Sequence, residues 1–391
     1  MILEPVEKGT EYHSNYQYWS EGTHRRVLKC MENVKKEFLL GRSYPVQLDE
    51  KMPDTHRWGI LGCGWIASCF AAQVIKAGGN IAAVSSRDLI KAQTFQSEFP
   101  SIKKAYGSYE ELMKDSDIDV IYVATPHAQH HEWAMKCLQH NKPILVEKAF
   151  TQNYKQAKEI IDFAKEKNLF VMEAYWTRFL PHIIKVKELI DRGEIGDVVQ
   201  IIADHGVCFP YDPKHRLYAP ELAGGALLDL GVYPISFVQF LLGNPTKIIA
   251  AGSATPTGVD SNDAAIFEYD NGRGALAMLA FSSLASSPVT GAICGTKGRI
   301  EIHRQFYRPS DFTVFYNDGS TFEYVSKMHE NQESGRDGLV GMHFEAAEVQ
   351  RCLLEGKLES SVMSWGDTLS VMKIMDEIRR QLDFRYEGET L

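Results

Sequence analysis

The stretch Arg57-Trp58-Gly59-Ile60-Leu61-Gly62-Cys63-Gly64-Trp65-Ile66-Ala67 decides how the rest of the chain is read. A short apolar run breaks into a glycine-rich turn and continues as a helix start. Gly62, Gly64 and Ala67 have the G-x-G-x-x-G/A spacing. In that pattern the first glycine turns the chain, the second lets a pyrophosphate approach the backbone, and the small third residue lets helix meet strand. The free N–H groups of the first helical turn would then face the phosphates. Such a glycine pattern also occurs by chance, so its meaning depends on the elements around it.

Downstream of the turn, strand and helix alternate. Apolar runs of strand character lie at Trp58–Leu61, Ile81–Val84, Lys104–Tyr106, Asp119–Ala124, Ile144–Val146 and Phe170–Glu173. Helical periodicity fills the gaps at Ala67–Lys76, Leu89–Phe95, Ala128–Leu138 and Tyr154–Lys167. The alternation predicts a parallel sheet covered on both faces, with ligand bound beyond the carboxyl ends of the strands. After Pro181 the pattern changes. Strand-like segments at Val198–Val207, Lys247–Gly252, Ala264–Tyr269, Ala275–Phe281, Arg299–Ile302 and Phe312–Phe315 are separated by Asn-Gly, Gly-Thr-Lys-Gly and Asn-Asp-Gly turns. Helices at Met342–Leu354 and Trp365–Leu382 close the chain, after a polar loop around Asn331–Gly335. The expected fold is α/β: an extension over residues 1–55, a Rossmann dinucleotide-binding domain over 56–178, and an α+β domain over 179–391. This last domain would hold a large, mostly antiparallel open sheet with helices on one face. Within the extension, Thr23–Leu40 reads as a helix whose basic residues form a solvated face.

A chain of 391 residues suggests two domains and enough buried volume for an enzyme cleft. With 44% hydrophobic and 24% charged residues and a net charge of -9, it offers no basic field for nucleic acid or anionic lipid. Seven scattered cysteines, odd in number and without C-x-x-C spacing, argue for a reducing compartment. The sole Asn-x-Thr match, Asn244-Pro245-Thr246, is spoiled by its proline. The first residues lack signal or transit character, and no window is long and apolar enough to span a membrane. A cytoplasmic protein is expected, with no nucleic-acid or membrane partner.

The strand tips carry the candidate chemistry. Ile81–Val84 runs into Ser85-Ser86-Arg87-Asp88, where hydroxyls and a guanidinium suit the 2′-phosphate of NADP better than the bare ribose of NAD. Asp88 either caps the helix at Leu89 or takes the ribose and shifts preference to NAD. The fourth strand ends in Ala124-Thr125-Pro126-His127-Ala128-Gln129-His130-His131. A helical reading gives His127 and His131 one face with no carboxylate or cysteine on it, so no metal is expected. His127 should lie near nicotinamide or substrate, while His130 or His131 caps and packs the helix. The fifth strand closes with Glu147-Lys148, a charged pair aimed into the cleft. Trp176-Thr177-Arg178, at the crossing between domains, offers an aromatic floor and a charge. Gly224-Gly225 opens a helix with Asp229 and Tyr233 four residues apart on one face. A tyrosine beside a lysine can remove a hydroxyl proton, because the ammonium stabilises the phenolate.

Together, Gly62 to Ala67, Glu147-Lys148, Met172-Glu173-Ala174 through Arg178, and Gly224-Gly225 to Tyr233 resemble the glucose–fructose oxidoreductase/inositol dehydrogenase (Gfo/Idh/MocA) family. More narrowly, they are similar to its branch of dimeric dihydrodiol dehydrogenases and NADP-dependent D-xylose 1-dehydrogenases. The resemblance covers about residues 56 to 385. It implies NADP-dependent oxidation of the anomeric hydroxyl of an aldose such as D-xylose, or of an aromatic dihydrodiol, with Tyr233 as base and Lys148 as its electrostatic partner. A homodimer through the C-terminal sheet is implied too. The expected cofactor set is Gly62, Gly64, Trp65, Ile66, Ala67, Ser86, Arg87, Thr125, His130, Glu147 and Lys148; the substrate set is Trp176, Arg178, Asp229 and His127. One departure stands out: Ala149 replaces the proline that usually follows the lysine. With the extension, it leaves a third reading open, a cofactor-binding sensor without turnover.

Overall fold

The computed structural model describes Met52 and residues 56–270, 272, 274–328, 339–386 and 389. The helix expected at Thr23–Leu40 and the loop at Asn331–Gly335 lie outside the described residues.

Six parallel strands form the first sheet: β1 (Arg57–Leu61), β2 (Asn80–Ser85), β3 (Lys104–Tyr106), β4 (Val120–Val123), β5 (Ile144–Glu147) and β6 (Val171–Ala174), in the order β3-β2-β1-β4-β5-β6. Every residue of β4, β5 and β6 is buried. Helices cover both faces of such a sheet, so its central strands are largely apolar with no alternation, Glu147 and Glu173 being the buried exceptions toward the carboxyl ends of β5 and β6. The crossovers are α1 (Trp65–Lys76), α2 (Leu89–Glu98), α3 (Tyr109–Lys114), α4 (His130–Gln139) and α5 (Tyr154–Lys167). The six-residue α3 is too short for a periodic signal, although Ser108 caps it through Glu111 N at 3.2 Å. Phe70 of α1 stacks on Tyr122 with ring centroids 3.9 Å apart and meets Trp58 edge-on at 5.5 Å. All three rings are fully buried, each worth about 2–3 kcal/mol of apolar burial. They fix the first helix against β1 and β4. Strand order reverses between those two strands, and a crevice opens at their carboxyl ends.

The second sheet has eight strands: β7 (Val198–Gly206), β8 (Lys247–Ala254), β9 (Asp260–Tyr269), β10 (Ala275–Ser282), β11 (Gly291–Gly295), β12 (Gly298–Ile302), β13 (Phe312–Tyr316) and β14 (Thr321–Tyr324). Their order is β14-β13-β12-β11-β7-β10-β9-β8, antiparallel throughout except for the parallel β7–β10 pair. β11 and β14 are additions to the expected strands. β11, Gly-Ala-Ile-Cys-Gly, has one large apolar residue, and β14 is a short, half-exposed edge. Both take their conformation from their neighbours in the sheet.

The helices of this half are α6 (Pro181–Asp191), α7 (Val232–Leu242), α8 (Met342–Leu354) and α9 (Trp365–Gln381). Of these, α7 packs on β7 and β10. The expectation that the last two share one face of the second sheet needs correction. α8 lies on α1 of the dinucleotide sheet, and α9 spans α5, α7 and β8. Gly341 N reaches Gln73 Oε1 at 3.4 Å, and the Trp365 indole donates to Val171 O at 3.0 Å. A full capping box between Ser364 and Asp367 sets the start of α9. The membrane expectation also needs correction, because the helical run Pro220–Leu242 is long and apolar enough to span one. Within the fold 89% of its window is buried, as the central helix under a sheet must be.

Candidate active site

At the start of α1, Gly62 has φ +108, and a Cβ there would stand 2.7 Å from Ala124 O. The position therefore requires glycine for its turn and for the close approach of β4. A Cβ at Gly64 would meet nothing within 4 Å. Gly64 is also the N-cap, with no side chain occupying the first N–H groups of α1. Open space over free donors is the form a pyrophosphate site takes, and Trp65 and Ile66 continue its wall while Ala67 is buried against the sheet. At the tip of β2, Ser86 is buried and Arg87 exposed, its guanidinium close enough to bond the Tyr109 hydroxyl. Asp88 Oδ1 accepts from Ile90 N at 2.9 Å. Of its two readings the cap is realised, which leaves a hydroxyl and a guanidinium at the ribose end.

Beyond the tips of β4 and β5 lies a cleft of about 400 Å³, with Lys148, Asp229 and Tyr233 in its wall. Asp229 sits in a π-helical turn, Leu227–Gly231, that leads into α7. Lys148 Nζ donates to Asp229 O at 2.9 Å and Oδ1 at 3.1 Å. Arg216 grips the same carboxylate, Nη1 to Oδ1 at 3.0 Å and Nη2 to Oδ2 at 3.1 Å. Burial alone would raise the Asp229 pKa, but Arg216, Lys148 and His127 together hold it well below the usual carboxylate range. The Lys148 ammonium also lies 4.8 Å from the centroid of the Tyr233 ring. The peptide between Lys148 and Ala149 is cis.

The phenol departs from expectation. Burial, then the neighbouring Tyr307 and Glu147, push the Tyr233 pKa well above 10, while a hydrogen bond with Trp176 works the other way. The ammonium expected to lower it is tied to Asp229. Glu147 hydrogen-bonds the Tyr122 hydroxyl through Oε1 and accepts from Lys148 N through Oε2 at 3.2 Å; burial raises it to about 7.

The three clustered histidines point three ways. His127 has Nδ1 3.3 Å from Ala223 O and Nε2 3.2 Å from Lys148 O; burial lowers its pKa to about 3, so the neutral ring donates to one of the two. His130 is fully buried between Thr125 O and Ala149 O, at 2.7 and 2.9 Å. His131 faces Glu159 of α5 at 2.8 Å. Thr125 lines the cleft, and its hydroxyl is buried without a partner.

Of the expected substrate residues, the cleft brings together Asp229 and His127. Trp176 is nearly buried behind it, edge-on to Tyr307 at 6.5 Å. Arg178 must be corrected. Its side chain is 1% exposed and turned away from the cleft, toward Ser236 Oγ at 3.1 Å, Gln239, Val362 O at 3.3 Å and Asp367 at 3.4 Å. It joins α7 to α9, and a substrate could not reach it.

Sequence reasoning missed His205, Arg216, Tyr307 and Arg308, all in the wall. His205 stacks on Tyr307 at 4.4 Å, and Tyr307 lies 4.5 Å from Tyr233. His205 ends β7, so the question asked of the tips of β4 and β5 would have found it. The other three sit in irregular loops, where no periodic signal exists. A hollow of about 760 Å³ between α5 and α9 is larger, but it lies away from the glycine turn and from Tyr233.

Residues 56–175 match the oxidoreductase family with an NAD-binding Rossmann fold, and residues 183–301 match the GFO/IDH/MocA C-terminal domain. The trans-1,2-dihydrobenzene-1,2-diol dehydrogenase of Xenopus tropicalis is 39% identical over 335 residues, covering 84% of this chain and 99% of the relative. D-xylose 1-dehydrogenase (NADP(+)) of Hypocrea jecorina is 35% identical over 363 residues, covering 84% and 92%. Among solved structures, KijD10, a 3-ketoreductase from Actinomadura kijaniata in complex with NADP, superposes with a TM-score of 0.68 at 25% identity, covering 84% and 97%. With a glycine turn at the switch point, a lysine and a tyrosine facing it across the cleft, and relatives matched over nearly their whole length, the chain belongs to the Gfo/Idh/MocA family of oxidoreductases.

Proposed function

We propose that this enzyme is an NADP-dependent dehydrogenase that oxidises the C1 hydroxyl of an aldopyranose such as D-xylose to the lactone. The supporting observation is the Lys148 ammonium, fixed on Asp229 and set 4.8 Å from the Tyr233 ring at the mouth of the dinucleotide crevice. NADP supplies the hydride acceptor, nicotinamide C4. The chain does the rest. The backbone at Gly62–Ala67 holds the pyrophosphate, and Ser86 and Arg87 hold the 2′-phosphate. Thr125, His130 and Glu147 shape the nicotinamide end. His127, neutral and donating its one N–H to one of the two carbonyls beside it, and Asp229 orient the sugar. As the C1–H bond breaks and its electron pair leaves with the hydrogen, the Tyr233 side chain in its phenolate form takes the hydroxyl proton and the C1–O bond becomes a carbonyl. Lys148 opposes the negative charge that develops on that oxygen. Because burial favours the neutral phenol, oxidation by this route gains as pH rises.

A second reading, oxidation of an aromatic trans-dihydrodiol, is favoured by the aromatic wall of Tyr233, Tyr307 and Phe209. Side-by-side kcat/KM on D-xylose and a benzene dihydrodiol with NADP separates the two. Tyr233→Phe and Lys148→Met should each lose about a hundredfold or more of either activity, and full activity in both would end the assignment.

We also infer a homodimer through the open face of the second sheet. Ile249, Ile266, Met278 and Ile202 pair in one row across β8, β9, β10 and β7, and the three isoleucines are 40–44% exposed. An apolar row of this kind is normally covered. Light scattering that returned a monomer would refute it.

A further inference from the structure

We propose that Arg308 makes this cleft selective for an anionic aldose, one that carries a carboxylate or phosphate on the part of the sugar away from C1. The proposal rests on the aldose-oxidising reading above and narrows its substrate. Arg308 lies in the cleft wall, with its guanidinium 5.4 Å from the centroid of Tyr307, whose ring is 4.5 Å from that of Tyr233. These two distances put the cation no more than about 10 Å from the ring of the proposed proton acceptor, within reach of a substituent on the far side of a sugar held there.

The carboxylates around it are already engaged. Lys148 and Arg216 share Asp229. Glu147 is engaged by the Tyr122 hydroxyl and Lys148 N, and His127 and His205 are held neutral by burial. Arg308 has no carboxylate within ion-pair distance among the described residues, and its Nε is closed off from water without a hydrogen-bond partner. On a protein of net charge -9, this is a local excess of positive charge inside a ligand cleft. Arg308 is half-buried, and a guanidinium Nε shielded from water and left unpaired is costly; an anionic ligand removes the cost by accepting parallel N–H bonds from Nε and a water-facing Nη. A neutral pentose would leave the fork unmet, whereas a uronate or sugar phosphate would fill it.

The test is kcat/KM with NADP for D-xylose, D-glucose, D-glucuronate and D-glucose 6-phosphate. D-glucuronate is D-xylose with a carboxylate on C5, so the pair isolates the charge, and the two anions distinguish carboxylate from phosphate. At least one anionic aldose should exceed both neutral sugars by about tenfold or more. Arg308→Gln should erase that ratio, and Arg308→Lys should keep part of it. Neutral sugars turned over as well as or better than both anions would overturn the proposal. So would an Arg308→Gln enzyme with an unchanged ratio and a raised KM for NADP, which would assign the arginine to the cofactor. Should the variant not fold, the wild-type ratio still decides. Should no aldose be oxidised, the aldose reading fails by itself. The anion site is then judged by calorimetry on the NADP-loaded protein: tighter binding of D-glucuronate than of D-glucose supports it, and equal binding overturns it.

Discussion

Replacing Glu345 with methionine should stabilise this protein at neutral pH. Glu345 lies on α8, fully buried, and neither carboxyl oxygen has a hydrogen-bond partner. Burial first, then the charges of Glu147 and Glu173, push its pKa well above 4.5. A carboxyl raised in the folded state holds a proton that the unfolded chain releases, so its contribution to stability is lost as pH rises above 4.5. If the proton is retained at pH 7, the folded state gives up the ionisation free energy over about two and a half pH units, or about 3 kcal/mol. Methionine is close in volume and carries no proton and no unsatisfied oxygen. The urea midpoint of Glu345→Met should therefore exceed that of wild type at pH 7, by an amount equivalent to up to about 3 kcal/mol. The gain should shrink as pH falls toward and below 4.5, where the wild-type carboxyl becomes protonated in both states. A gain independent of pH would refute the reasoning, because it would owe nothing to a shifted proton, and a loss at pH 7 would refute it by showing that the carboxyl serves the fold.

The remaining predictions concern the cleft. Because the Tyr233 pKa lies well above 10, the logarithm of kcat/KM for oxidation should climb by about one per pH unit from neutral into alkaline solution; a flat profile would count against a phenolate base. Arg87→Gln should weaken NADP by about tenfold to a hundredfold relative to NAD, read as the ratio of their KM values. Equal weakening of both would assign Arg87 to some other part of the cofactor. Asp229→Asn unpairs Lys148 and Arg216. Lys148 is mostly buried, but the Arg216 side chain is half exposed and its share is screened, so the expected loss is about 2–3 kcal/mol. An unmoved thermal midpoint would show that the network contributes nothing.

Local sequence is enough to read the elements and the two ends of the site. The Gly62–Gly64–Ala67 turn is legible because backbone geometry there admits few residues. β4 and β5 are legible because a strand buried on both faces has to be largely apolar. Lys148 stands out as a charge at the end of an apolar run and Asp229 as a charge inside one, and the four-residue spacing of Asp229 and Tyr233 puts them on one helical face. β11 and α3 are not legible, since a five-residue glycine-ended strand and a six-residue helix carry too little pattern.

Tertiary structure decided which of the marked groups meet. Arg178 reads as a charge in a pocket, yet Ser236, Gln239 and Asp367 enclose it, residues of α7 and the start of α9 that no local pattern connects to it. Arg216, Tyr307 and Arg308 reach the cleft from loops. The proximity of Lys148 to Tyr233 was expected from sequence, but its electrostatic sign was not. Burial and Asp229 leave the phenol high, and a pKa depends on what surrounds a group from every side. Periodicity records which face of an element is apolar. The partners of a charge are set by the packing of whole elements, which only the folded chain specifies.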